Sequence, residues 1–244
     1  MGIKLYRDGW RINLRLQSTL LDNIRYKLFK NKVREVYKKK IQFLSNELML
    51  DEMWLHHNIS LNGGALYSIY HNKKVNDYDF FCRNKDVKKT IIEHALLADK
   101  KGTGNAITIG DCQIVTKWVG EPQEIINAFD FKHNMCYAFY DYGMLDMNIH
   151  IEHLDIFKSN KLIFNEGRAR DFANILLRIP KFIKKGFTIS KYEQALILKK
   201  LIDQENEYSI DVVSKGFSDK YTEIPMINKL LDKTTPHSSN CDYG

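Results

Sequence analysis

The sequence predicts an α+β fold: a small mixed β-sheet with helices on one face, flanked by N- and C-terminal helices. Three observations predict it. Apolar residues recur at three- and four-residue steps up to about residue 50, short strand-like runs separated by turn residues occupy 54–151, and helical periodicity returns from about 154. The organisation expected is an N-terminal helical segment at 1–50, a sheet domain at 51–155, a C-terminal helical domain at 156–233 and a flexible polar tail at 234–244.

Each element has a local reason. From Ser18, a plausible N-cap, Leu20, Leu21, Ile24, Leu28, Val36, Ile41, Leu44 and Leu48 form one apolar stripe. Between them Arg25, Lys27, Lys30, Lys32, Arg34 and Lys38 to Lys40 make a solvated basic face. His57 to Leu61 reads as a short strand entering Asn62-Gly63-Gly64, Ala65 to Tyr70 as a helix, and Val75 to Phe81 as a strand. Val87 to Ala98 is helical. Ala106 to Ile109 and Gln113 to Val119 read as strands joined through the turn pair Gly110-Asp111. Pro122 suits the first turn of a short helix, and Ala128 to Tyr140 and Met147 to Ile151 add strands. Arg168 to Phe182 and Lys191 to Asp203 are helical, and Pro180 predicts a kink or an early end in the first of them.

Composition narrows the function classes. A net charge of +7, from 37 basic and 30 acidic residues, favours polyanionic partners such as nucleic acid or nucleotides. Cys82, Cys112, Cys136 and Cys241 form no CxxC pair, which argues against zinc and for reduced thiols. No run approaches the roughly eighteen apolar residues of a membrane span, and the N-terminus lacks the apolar stretch of a leader. The expectation is a cytoplasmic protein, in the host cytoplasm if viral, with no membrane partner.

The chemistry concentrates in Leu61-Asn-Gly-Gly-Ala65 followed by Asn76-Asp-Tyr-Asp-Phe-Phe81. Gly63 and Gly64 give a turn without side chains, where backbone N–H groups can approach phosphate oxygens. Asp77 and Asp79 are two apart on a strand, so their side chains leave from one face. Carboxylates placed together repel unless a cation lies between them, and Mg²⁺ prefers carboxylate and phosphate oxygens. Either motif alone has a bland reading, as a turn or as two surface aspartates; the ordered combination favours a metal–phosphate site. Asp130, set between Phe129 and Phe131 in a strand-like run, is the candidate third carboxylate. Asp141, Asp146 and Asp155 compete for that place, and pairing with Lys132 is the structural alternative for Asp130. Ser68 lies one helical turn beyond the glycines, and Arg178, Lys181, Lys184 and Lys185 could neutralise phosphate charge.

The glycine pair, Asp77-x-Asp79 and Asp130 together resemble the DNA polymerase beta-type nucleotidyltransferase superfamily, with its palm-like domain. Trp118 to Phe131, with Arg178 to Phe187 behind it, is similar to uncharacterised bacteriophage nucleotidyltransferases. Leu176 to Arg178, Lys181-Phe182 and Gly186 to Ile189 bear a weaker likeness to the head and neck of CCA-adding enzymes and bacterial poly(A) polymerases. The resemblance implies Mg²⁺-dependent transfer of a nucleoside monophosphate from an NTP to an acceptor hydroxyl, with release of pyrophosphate. It implies two ions, replaceable by Mn²⁺, with Asp77 and Asp79 on both and Asp130 on the ion beside the acceptor. Gly63, Gly64, Ser68, Arg178 and Lys181 would contact the nucleotide. RNA, as a tRNA or another 3′ end, is the first acceptor expected, and a protein hydroxyl is the second. An inactive nucleotide- or nucleic-acid-binding module is the reading from a different class.

Overall fold

The computed structural model describes residues 2–100, 102–103, 105–140, 147–168 and 172–215, with side chains of the two terminal helices described between 21 and 203. Within them the chain forms two compact units that interleave in sequence. One holds residues up to 126 together with 134–152, and the other holds 127–133 and the chain from 153 onward.

The first unit is built on a six-stranded mixed sheet. Its strands are β1 (Ile59–Asn62), β2 (Tyr78–Cys82), β3 (Ala106–Ile109), β4 (Cys112–Val115), β5 (Cys136–Tyr140) and β6 (Met147–Ile151). The order is β3-β4-β2-β1-β5-β6, with β2 and β4 parallel and every other neighbour antiparallel. Its helices are α1 (Gly2–Leu48), α2 (Glu52–Asn58), α3 (Gly64–Tyr70), α4 (Lys85–Leu97) and α5 (Pro122–Asn127), the last ending at the boundary between units.

Side-chain alternation gives the sheet two unlike faces. One row across it reads Ile107, Ile114, Phe80, Leu61, Ala138 and Ile149, level by direct pairing. Helix α1 covers this apolar side. Val33, Tyr37, Ile41, Leu44 and Leu48 are fully buried, and Tyr37 meets Phe80 edge-on at 5.9 Å. Each such side chain contributes about 2 kcal/mol by leaving water. The Tyr37 hydroxyl donates to Ile59 O at 2.8 Å, tying the helix to the first strand. Helix α4 joins the same layer where His94 Nδ1 lies 2.9 Å from Leu48 O and Lys100 reaches Glu47 at 2.6 Å.

The second unit contains α6 (Leu154–Phe157), β7 (Lys161–Leu162), α7 (Phe172–Lys184), β8 (Thr188–Ile189) and α8 (Lys191–Lys215), with β7 and β8 paired in parallel. Phe131, Phe182, Phe187 and His133 form an aromatic cluster, with Phe131 and Phe182 edge-on at 5.3 Å. Ser190 caps α8 by accepting from Glu193 N–H at 3.1 Å, and the Glu193 carboxylate accepts from Phe164 N–H at 2.7 Å.

Several local expectations are corrected. The first helix does not begin at Ser18 but runs through it from Gly2. His57 belongs to α2 rather than to a strand, because Asp51 caps that helix by accepting from Trp54 N–H at 2.7 Å. The strand bearing the aspartates starts at Tyr78, three residues later than expected. Of 128–140 only Cys136–Tyr140 is a sheet strand, since the segment before it bends, makes one isolated bridge from Phe131 to Phe164 and turns through a 3₁₀ helix at Lys132–Asn134. Helix α7 continues through Pro180 to Lys184. The tail at 234–244, Cys241, Asp141 and Asp146 lie outside the described residues.

Candidate nucleotide site

In the first unit, register places the glycine turn and the aspartate strand together. Strands β1 and β2 pair as Ile59↔Cys82, Ser60↔Phe81 and Leu61↔Phe80, so one step further Asn62 stands level with Asp79. The end of β1, where the chain enters Gly63-Gly64, is therefore the end of β2 where Asp77 and Asp79 lie. Asp77 is exposed, one residue ahead of the strand, and Asp79 is half-buried within it.

The two glycines do different work. Gly63 sits at φ 75° and ψ −129°, which a side chain resists, and it caps α3. Its N–H donates to Cys136 O at 2.9 Å, and its carbonyl accepts from Leu66 N–H at 3.1 Å and from the Cys136 thiol at 3.5 Å. Burial pushes that thiol well above its ordinary range and keeps it a donor. Gly63 thus fixes the turn and spends its own N–H on the sheet, contrary to the expectation that it faces a phosphate. Gly64 is exposed, and a Cβ built on it meets nothing within 4 Å. Ser68 is half-buried one turn along α3.

Asp79 is flanked by amides. On the parallel strand β4 its level partner is Gln113, and on the other side stands Asn62. The row continues through Asn62↔Tyr137 to Tyr137↔His150, and outward through Thr108↔Gln113. The face opposite the apolar row therefore carries a polar one. Asn62 is 1% exposed, and its side-chain amide lies 2.6 Å from Ser60 Oγ, a contact that either end of the amide can make. Sequence reading passed over both amides. The available signal was polar residues recurring at period two inside apolar strands.

The remaining candidates lie in the second unit. Asp130 is on a bend, not on a sheet strand, and both carboxylate oxygens meet guanidinium groups. Arg168 Nε lies 3.1 Å from Oδ1 and Arg178 Nη2 lies 2.6 Å from Oδ2. Arg168 also donates to Ala128 O. Asn165 stitches the same loop by donating to Asn127 O at 2.8 Å and to Phe129 O at 2.9 Å. Asp130 thus pairs with two arginines. Lys181 is exposed on α7, and Asp155 is exposed in the first turn of α6.

Among the described residues, no group of three or more His, Cys, Asp and Glu side chains is placed to hold a metal ion. A divalent ion at Asp77 and Asp79 would complete its shell with phosphate and water, the usual manner of Mg²⁺. Among the described residues, no helix is long and apolar enough to cross a membrane.

Comparison with known proteins adds four findings. A protein called Gabija anti-defense 2, from Bacillus phage SPbetaL7, is 27% identical over 173 residues, which are 68% of this chain and 42% of that protein. The chain thus spans well under half the length of that relative. Among solved structures, a CCA-adding enzyme of Thermotoga maritima in complex with tRNA aligns with TM-score 0.47 and 12% identity, over 70% of this chain and 42% of the other. A structure described as a tRNA-processing enzyme in an apo form aligns with TM-score 0.44 and 15% identity, over 71% and 48%. Residues 35–155, which include the glycine turn, both strand aspartates and the polar row, match the profile of the Gabija anti-defense 2 family, and it is to that phage family that the chain is similar in sequence.

Proposed function

We propose that the chain is a nucleotidyltransferase that binds a nucleoside triphosphate where the Gly63-Gly64 turn meets Asp77 and Asp79. The observation that supports this reading is the register placing Asn62 level with Asp79, so that a bare backbone turn and two carboxylates share one end of the sheet. Gly64 lets the triphosphate approach the start of α3, with Ser68 one turn further along. Asp77 and Asp79 hold Mg²⁺ or Mn²⁺, which supplies neutralisation of charge on the phosphates and a fixed geometry for in-line displacement. An acceptor hydroxyl oxygen bonds to the α-phosphorus, the bond to the β-phosphate bridging oxygen breaks, pyrophosphate leaves and the hydroxyl proton passes to water.

Metal holding in this reading is restricted to Asp77 and Asp79, because both oxygens of Asp130 already meet guanidinium groups. RNA is the acceptor favoured by the +7 charge and by exposed Lys181, Lys184 and Lys185 on and just after α7. The name of the phage relative suggests the setting, the cytoplasm of a bacterial host, where the product would blunt a defence system.

A second reading is a nucleotide-binding module without transfer. It draws on the amides Gln113 and Asn62 standing beside Asp79, where a further acid would have strengthened the hold on metal.

Incubation of the full chain with each labelled NTP, Mg²⁺ or Mn²⁺, and separate RNA and protein fractions tests the proposal. Label entering RNA, and lost with Asp77→Asn plus Asp79→Asn, supports it. Label in protein moves the acceptor to a protein hydroxyl. Nucleotide binding with no label in either fraction favours the binding module.

A further inference from the structure

The polar row does not stop at the aspartates. It ends on the edge strand β6 at His150, whose ring stacks on Tyr137 with centroids 5.1 Å apart and planes at 25°. His150 Nε2 lies 2.8 Å from Glu152 Oε2, and the same oxygen accepts from the Gln123 side-chain amide nitrogen, Nε2, at 3.1 Å. A carboxylate only accepts, so Nε2 carries a proton, and in the neutral tautomer that this selects Nδ1 is left as an acceptor. The His150 side chain is 38% exposed on the edge strand of the sheet, with one ring face against Tyr137.

Position gives this group a use. His150 shares the sheet face of Asp79 and lies in the same row, three strand spacings away, or about 14 Å at ordinary interstrand distance. That separation is on the scale of a nucleoside triphosphate from its phosphates to its base. We infer that His150, oriented by Glu152 and Gln123 and backed by Tyr137, is a base-reading residue for the nucleotide whose triphosphate sits at Gly64 and Asp79. The inference rests on the proposed nucleotide site. The exposed ring face offers stacking to any base. Nδ1 as an acceptor favours a base with an exocyclic amino group, adenine, cytosine or guanine, over uracil, which lacks one.

Equilibrium binding of non-hydrolysable analogues of the four NTPs, with inorganic tripolyphosphate as the base-free probe, tests this in the presence of Mg²⁺. The folded chain is compared with His150→Ala and with Gln123→Ala, the second touching the orienting carboxylate. The expected result is a preference for the amino-bearing analogues in the wild type. His150→Ala should weaken those analogues about tenfold, the scale of one hydrogen bond with its stacking, and leave tripolyphosphate unchanged. Gln123→Ala should give a smaller loss of the same pattern. A base preference absent from the wild type, or one that both variants keep, overturns the inference and leaves the phosphate site standing. Failure of the wild type to bind either tripolyphosphate or any analogue removes the nucleotide site itself, and the base-reading role with it.

Discussion

Arg178 and Asp130 meet at 2.6 Å between Nη2 and Oδ2, while Arg168 Nε approaches the other oxygen at 3.1 Å. The two arginines are not equivalent. The Arg168 side chain is 6% exposed and that of Arg178 is 44% exposed, against 11% for Asp130. Loss of the buried partner leaves a carboxylate poorly compensated, at about 3 kcal/mol. Loss of the exposed one is screened by water and costs under about 1 kcal/mol. Urea unfolding of Arg168→Ala and Arg178→Ala should separate them in that order, and equal losses would show that Asp130 does not depend on the buried contact.

The glycines should separate as well. Gly63→Ala forces a side chain into φ 75°, at a cost of order 1–3 kcal/mol. Gly64→Ala meets open space and should change stability by less than about 0.5 kcal/mol. On the proposed function, Gly64→Ala nevertheless weakens triphosphate binding, because the added methyl stands where phosphate approaches. Thermal denaturation alongside nucleotide titration reads both effects.

Tyr37 joins α1 to the sheet through one hydroxyl. Burial pushes its phenol far above the ordinary range, so it remains a neutral donor to Ile59 O. Tyr37→Phe keeps the ring packing and removes that hydrogen bond, for an expected loss of about 1 kcal/mol in chemical denaturation. A variant as stable as the wild type would mean the carbonyl is satisfied without it.

His56 gives the stability a pH dependence. It is buried, stacked on Tyr37 at 5.6 Å and edge-on to Tyr140 at 4.9 Å. Burial lowers its pKa from the ordinary value of about 6.5, opposed by the Glu52 carboxylate 3.4 Å away. The folded chain then binds fewer protons at this ring than the unfolded chain does. Its contribution is complete above about pH 6.5 and is lost as the pH falls through the lower folded value. The urea midpoint should drop between pH 7.5 and 5.5 in the wild type and drop less in His56→Leu. Parallel pH curves for the two proteins would contradict this.

Much of the fold was legible where side-chain period and turn chemistry agreed. Ala106–Ile109 and Met147–Ile151 alternate cleanly, and Gly110 takes the positive φ of 59° that a tight turn requires. The reading failed where tertiary context overrode local pattern. Phe129-Asp-Phe131 alternates like a strand, but Phe131 is buried against Phe182 in the second unit, and the Asn165 and Arg168 side chains pin the loop around it. Asp51 was available as a helix cap ahead of His57, yet the β-type residues after it masked a helix of seven residues. The glycine turn and the aspartate pair were visible as separate motifs. Their shared sheet end was not, because it depends on the pairing register of β1 and β2, and the amides beside Asp79 depend on the same register.

The central claim is that the turn at Gly63-Gly64 and the carboxylates of Asp77 and Asp79 form one metal–triphosphate site. Calorimetric titration of a non-hydrolysable NTP into the wild type and into Asp79→Asn, each with Mg²⁺ and with EDTA, tests it most directly. Binding in the wild type should require Mg²⁺ and be lost in the folded variant. Equal affinity with and without Mg²⁺, or affinity unchanged by Asp79→Asn, would contradict it.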